Sequence, residues 1–215
     1  MRIPTVEEPR WLRPLLSFCH TSDYDKNVDL MRVGDPADNL YYLVEGSVAA
    51  LLEDQEHREL VLAYLYQGEF IGEMGIFVPQ ASRKVIVRTR SRCRIAAINY
   101  RHLDRLLDKE LKPIAKEFLY AIGAQLSKRL RQTFRKVEGL AFLDVTARIR
   151  GTLLDLCGQP DAVTHPDGTQ IRISRQELGR IVGCSREMAG RVLKNLEEQG
   201  VVRVKGMTIV VLGTR

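Results

Sequence analysis

Between residues 29 and 99 the chain alternates quickly between apolar and polar positions, and aromatic and β-branched residues gather in runs at 39–45, 47–53, 59–66, 84–89 and 93–98. Gly34, Gly46, a turn at 54–57, Gly68 and Gly75 punctuate these runs. The pattern predicts many short strands folded as a β-sandwich or barrel. From about residue 101 the period lengthens. Ala115, Leu119, Ile122, Leu126, Leu130, Thr133 and Val137 recur in steps of three and four, close to the 3.5-residue repeat of a helix paired with another helix. One helix over about 109–138 is predicted. At about 1.5 Å per residue it is roughly 45 Å long, more than a small barrel can cover, so a homodimer seam is expected. Gly139, just past the stripe, reads as a C-terminal stop and a hinge.

Further along, 142–157 predicts an apolar helix. Ser174-Arg175-Gln176-Glu177 is a capping box, in which the serine accepts from the first free N–H groups of a helix and the glutamate reaches back. That helix buries Leu178, Ile181 and Val182 and stops at Gly183; Ser185 caps a second helix over 186–199 that ends at Gly200. Two short helices joined through a glycine make a helix-turn-helix. Runs at 201–204 and 207–212 around Lys205-Gly206 predict a hairpin, or wing, behind it.

Composition narrows the class. The 215 residues are 45 % hydrophobic and 28 % charged, which fits a folded chain of two domains, here 1–138 and 139–215. No apolar run reaches the ~18 residues of a bilayer span, and the N-terminus MRIPTVEEPRW lacks the order of a signal peptide, so a cytoplasmic protein without a membrane partner is expected. Cys19, Cys93, Cys157 and Cys184 are far apart and read as free thiols, with no metal site. Neither Cys19-His20 nor Cys157 with His165 is flanked by a catalytic elbow or an orienting acid, so no enzyme is expected.

Charge points elsewhere. Residues 1–100 carry 12 basic and 14 acidic side chains, 101–138 carry 10 and 5, and 139–215 carry 11 and 8. A polyanion therefore belongs at the C-terminal half. On the second helix Met188, Val192, Leu193 and Leu196 take the buried side, leaving Arg186, Glu187, Gly190, Arg191 and Lys194 outside. Arginine can donate twice to guanine and glutamate can accept from cytosine N4, so Arg186, Glu187 and Arg191 are candidate readers of double-stranded DNA in the major groove. Gly190 leaves room for the duplex, while Ser174, Arg175 and Gln176 at the first helix N-terminus would hold phosphates. The competing reading is a solvated face on which Glu187 pairs with Arg191.

The stretch 174–193 (SRQELGRIVGCSREMAGRVL), with FLDVT at 142–146, THPDG at 164–168 and the terminal GTR, resembles the cyclic AMP receptor protein (catabolite activator, CRP/FNR) family. GEMGIF, VIVRTR, LYAIGAQLSKRL and CSREMAGRVLK are similar to its branch of CAP-like global regulators answering to cyclic di-GMP. The resemblance implies an α+β fold: an N-terminal cyclic-nucleotide-binding β-barrel of jelly-roll type, a long dimerisation helix, and a C-terminal winged helix-turn-helix. It places Arg186, Glu187 and Arg191 at the base-reading positions and Arg175 and Ser185 near phosphates of a pseudo-palindromic site. The loop 162–170, centred on Thr164, His165 and Gly168, corresponds to a surface touching RNA polymerase; in a second such patch His20 matches and Ser22 departs. Gly72, Glu73, Gly75 and Arg83 match the phosphate-binding cassette. Lys84 replaces its serine and either lies buried beside Arg83, suiting a ligand with more phosphate charge, or points into solvent; Thr133-Phe134 replaces an adenine-contacting Thr-Ser pair, leaving Thr133 as a candidate ligand contact. Three states of the pocket are open: cyclic di-GMP as an inhibitor of DNA binding, cyclic AMP as an activator, or no ligand.

Overall fold

A computed structural model describes residues 8–79 and 81–214. Residues 1–7 of the N-terminal stretch and the terminal Arg215 lie outside them. The elements run α1 (Leu12–Leu16), β1 (His20–Tyr24), β2 (Asp29–Met31), β3 (Asn39–Glu45), β4 (Ser47–Glu53), β5 (Glu59–Tyr66), β6 (Phe70–Ile71), α2 (Met74–Phe77), β7 (Ile86–Thr89), β8 (Cys93–Asn99), α3 (Tyr100–Asp108) and α4 (Lys112–Phe142). They continue with α5 (Val145–Cys157), β9 (Val163–His165), β10 (Gly168–Arg172), α6 (Arg175–Val182), α7 (Arg186–Glu198), β11 (Val202–Lys205) and β12 (Thr208–Leu212). Two compact units result: 1–52 with 63–130, and 53–62 with 131–215.

The first unit is mixed α+β and contains two four-stranded sheets, β1-β8-β3-β6 and β2-β7-β4-β5, rather than one closed barrel. Their neighbours come from distant parts of the chain, as in a jelly roll. Phe70, a central ring of the core, lies 5.3 Å from Trp11, 5.0 Å from Tyr42 and 5.6 Å from Phe118 between ring centroids. Phe118 and Ile122 of α4 are fully buried in this cluster, and Leu126 packs against it. The stripe expected to form a seam therefore divides. Ile122 turns toward its own sandwich because Phe118, one turn earlier, shares that face, whereas Leu119, Leu130 and Val137 stay exposed.

The long helix also differs in its ends. Lys112 begins it, after α3 closes at Asp108, and it continues through Gly139 to Phe142. Gly139 is thus neither a stop nor a left-handed joint: its carbonyl accepts from Leu143 N at 3.0 Å. The break falls at 143–144, where Asp144 caps α5 by accepting from Ala147 N at 2.7 Å.

In the second unit α5, α6 and α7 pack with the sheet β11-β12-β10-β9 around Ile149, Leu153, Leu178, Val182, Leu193, Leu196 and Ile209. The 53–62 hairpin belongs here too. Arg180 pairs with Glu59 at 3.0 Å, and the Lys136 ammonium donates to the Val61 carbonyl. Among the described residues no helix is long and apolar enough to cross a membrane.

Candidate nucleic-acid interface and ligand cassette

The helix-turn-helix is fixed by local chemistry. Ser174, extended at ψ 156°, accepts from Glu177 N at 3.0 Å, and Ser185, at ψ 157°, accepts from Met188 N at 3.1 Å. Gly183 closes α6 in the left-handed region at φ 71°, where a residue bearing Cβ is strained. Gly179 is also required, since a Cβ there would stand 2.6 Å from the Cys184 carbonyl oxygen. The turn thereby brings the α6 backbone at Gly179 against the Cys184 carbonyl with no room for a side chain between them.

Ala189, Val192, Leu193 and Leu196 bury one side of α7. Arg186, Glu187 and Arg191 are exposed on the other. Among the described residues none of these three forms an ion pair, and the pair within α7 is Lys194 with Glu198 at 3.9 Å. Glu187 and Arg191 do not neutralise one another, so two guanidinium groups and a carboxylate face outward. Arg175 and Gln176 are exposed in the first turn of α6. Behind α7, β11 and β12 pair in register from Val202↔Val211 to Lys205↔Thr208, with Gly206 in the turn at φ 64°.

The cassette of the first unit is organised differently. Arg83 is 6 % exposed. Its Nη1 donates to the Tyr100 hydroxyl at 3.1 Å and its Nη2 to the Asn39 carbonyl at 2.5 Å, while its guanidinium lies 5.7 Å and 5.9 Å from the ring centroids of Tyr41 and Tyr100. No described carboxylate stands within 4.0 Å of it, which leaves a buried cation without a countercharge. Glu73, also buried, has one: Arg129 Nη1 donates to its Oε1 at 2.5 Å, and Arg129 Nη2 donates to the Phe70 carbonyl at 2.6 Å. Gly72 and Gly75 admit this packing. A Cβ on Gly72 would meet Arg83 Nη1 at 2.6 Å, and one on Gly75 would meet the Tyr100 ring at 2.6 Å. Tyr100 in turn donates to the Gly72 carbonyl at 2.5 Å, and burial pushes its own phenol pKa up. The residues present thus fit an anion such as a phosphodiester at Arg83.

Residues 22–110 match the cyclic nucleotide-binding domain, and 171–202 match the bacterial regulatory proteins of the crp family. The chain is 54 % identical over 200 residues, 93 % of its length and 87 % of the relative's, to the CRP-like protein Clp of Xanthomonas euvesicatoria pv. vesicatoria. It belongs to the CRP family. The same figures hold for Clp of Xanthomonas campestris pv. campestris. A solved structure described as the c-di-GMP responsive global regulator CLP, which links cell–cell signalling to virulence gene expression in Xanthomonas campestris, superposes with a TM-score of 0.91 at 52 % identity, covering 95 % of this chain and 99 % of that one. A CRP/FNR-family transcriptional regulator from Thermus thermophilus shares the fold, with a TM-score of 0.74 at 24 % identity over 90 % of this chain and 93 % of that one. The family's members are DNA-binding transcription regulators rather than enzymes, and so is this chain.

Lys84 is exposed, its Nζ 3.5 Å from Ser82 Oγ, and does not stand beside Arg83 as a second buried cation. Thr133 and Phe134 are exposed on the part of α4 that belongs to the second unit. The 162–170 loop is mostly the β9–β10 hairpin. Thr164 is exposed and His165 half-buried, but Gly168 is buried, and a Cβ on it would fall 2.0 Å from the Val211 carbonyl oxygen. His20 is exposed on β1 and Ser22 half-buried beside it.

Sequence reasoning missed Asn39, Tyr100 and Arg129. Arg129 had a signal: it stands seven residues after Ile122 and eleven after Phe118, on the core-facing stripe, where a charge implies a buried partner. Gln125, seven after Phe118, is of the same kind and bonds both Phe70 N at 2.7 Å and Phe70 O at 3.0 Å.

Proposed function

We propose that this CRP-family protein is a cytoplasmic homodimer that binds pseudo-palindromic double-stranded DNA as an activator or repressor, with cyclic di-GMP inhibiting that binding. The observation that carries the DNA reading is the outward set of Arg186, Glu187 and Arg191, none of them spent on an ion pair among the described residues. Arg186 and Arg191 donate to guanine edges and Glu187 accepts from cytosine, while Ser174, Arg175, Gln176, Ser185 and Lys194 fix register on phosphates. Dimer pairing is supported by a second stripe on α4. Leu119, Leu126, Leu130, Val137 and Leu140 fall on heptad a and d positions with Gly123 and Thr133, and Leu130 and Val137 are 54 % and 59 % exposed. Twofold pairing sets the recognition helices about 34 Å apart, one helical turn of DNA. Thr164 and His165 of the β9–β10 hairpin, held by Gly168, form the surface for RNA polymerase.

Cyclic di-GMP rests on the likeness to the responsive Clp regulator. Cyclic AMP is the second reading, favoured by the cassette itself: Arg83 offers one buried, unpaired cation, and Lys84 supplies no second one inside. Calorimetry with each nucleotide, followed by gel shift on cognate and scrambled duplexes, separates them. The expected result is binding of cyclic di-GMP and release of the duplex. Heat from cyclic AMP alone with tightened DNA binding overturns the ligand assignment, and equal affinity for both duplexes overturns the base-reading one.

A further inference from the structure

A cleft of about 330 Å³ opens between α6, α7 and β11, and Arg175, Arg191 and Lys194 supply its cations. Its acidic residue, Glu197, is engaged at the far wall, where Oε1 accepts from Val204 N at 2.7 Å. Gly190 forms part of the floor. Here the structure departs from the expectation that Gly190 merely clears space for the duplex. The space a side chain would fill is bounded closely by Arg175: a Cβ on Gly190 would lie 3.3 Å from Arg175 Cδ and 3.7 Å from Arg175 Nε. Arg175, at the first position of α6, therefore lays its stem across α7 at the residue that has no side chain, which brings its guanidinium into the cleft with Arg191 and Lys194. A contact at 3.3 Å is tighter than a Cβ ordinarily makes, so an alanine at 190 pushes that stem back by a few tenths of an ångström and a larger side chain pushes it further.

We propose that Gly190 is a positioning residue for phosphate contact: it seats Arg175 so that Arg175 and Lys194 act together on the DNA backbone beside the base-reading Arg191. The inference rests on the DNA-binding reading and adds a role to a residue that touches no base. Phosphate contacts set affinity and salt dependence without carrying sequence information. Disturbing the seat thus weakens every duplex alike, whereas holding the recognition helix away from the bases weakens the cognate duplex most.

The test uses the full-length protein as wild type, Gly190→Ala, Arg175→Ala and the double variant, with fluorescence anisotropy on cognate and scrambled duplexes across a salt series. Alanine favours helix over glycine, so Gly190→Ala is expected to melt no lower than wild type. Its affinity falls about threefold or more for both duplexes with their ratio unchanged, and Arg175→Ala costs about tenfold, as expected when a charge-assisted hydrogen bond is removed. Both variants shallow the salt slope, by up to about 0.9 for each phosphate no longer neutralised. In the Arg175→Ala background the Gly190 substitution has no further effect. A full additional loss in the double variant, a fall in the cognate-to-scrambled ratio for Gly190→Ala, or wild-type affinity of either single variant overturns the seat. Equal binding of both duplexes by the wild type instead removes the DNA reading beneath it.

Discussion

On the proposed DNA-binding reading Ser185 joins fold stability to phosphate contact at one atom, and replacing it by alanine and by aspartate pulls the two apart. Its hydroxyl oxygen accepts from Met188 N at 3.1 Å, at the N-cap of the helix whose next two residues are the proposed readers Arg186 and Glu187. Ser185→Ala leaves that N–H to water and costs about 1 kcal/mol, within a range of roughly 0.5–2. For a unit of this size that lowers Tm by about 4–8 °C. Ser185→Asp keeps an acceptor in place and puts a negative charge at the positive end of α7, worth about 0.3–1 kcal/mol, so it melts at or above wild type. DNA reverses the order. A carboxylate about 4 Å from a phosphate costs roughly 1 kcal/mol in water and about 4 at an effective dielectric of 20. That is a loss of about fivefold to 10³-fold per half-site, largest at low salt. Thermal unfolding of both variants, with anisotropy titrations at low and raised salt, reads both quantities. If Ser185→Asp melts with Ser185→Ala, the serine is not acting as a cap. Wild-type affinity of Ser185→Asp at low salt would show that no phosphate approaches it.

Phe118→Ala removes a fully buried ring that packs edge-to-face against Phe70 and is expected to cost about 3–5 kcal/mol in urea unfolding; a loss below about 1 kcal/mol would contradict the packing of α4 on the sandwich. Burial pushes the Lys136 ammonium pKa down to about 8 from 10.5, so between those values the unfolded chain holds more protons than the folded one. The stabilisation is complete above about pH 10.5 and is lost as pH falls through 8; Lys136→Met flattens that slope in a pH series of melts, and an unchanged slope refutes the assignment. Arg83→Gln retains an amide donor for Asn39 or Tyr100, leaving stability within about 1 kcal/mol of wild type while weakening nucleotide binding by about 10- to 100-fold in calorimetry.

Elements built from neighbouring residues were legible in the sequence. The two capping serines, the left-handed Gly183 and the Gly206 turn place α6, α7 and the wing without reference to the rest of the chain. The order β1-β8-β3-β6 was not legible, because it depends on pairing strands as far apart as His20 and Ala97. Strands of two or three residues, such as β6 and β2, leave too short an alternation to read. The long helix was legible, but the single stripe drawn along it divides for a geometric reason. Core-facing Phe118 and Ile122, with Leu126 half-buried against them, and exposed Leu119, Leu130 and Val137 are adjacent stripes, and a three–four spacing can be threaded through either or across both. Gly139 misled for a simpler one: glycine lowers helix propensity without ending a helix, and with the space around it open the hydrogen-bonded turn continues to Phe142. In the cassette Arg83 and Glu73 were recognised, but the groups that hold them, Tyr100 and Arg129, come from elements whose arrival there depends on the tertiary fold.

The two stripes of α4 also bear on how a ligand can be felt beyond the cassette. After Phe118 and Ile122 the core-facing stripe turns polar, and Gln125 and Arg129 spend their donors on Phe70 and Glu73 at the entrance to the glycine turn. Glu73 is buried, so its carboxylate needs a partner, and removing Arg129 without a substitute leaves a costly uncompensated charge. On the proposed nucleotide-binding reading, a ligand hydroxyl that donates to Glu73 draws on the same carboxylate as the Arg129 guanidinium and joins or displaces it. Arg129 sits beside Leu130, a residue of the proposed dimer seam. On that reading the ligand acts on the rotation and packing of the helix that pairs the protomers, through an exchange of partners at one buried carboxylate. Apolar packing alone would offer no such exchange, which is a physical reason for a glutamine and an arginine on the core-facing side of this helix.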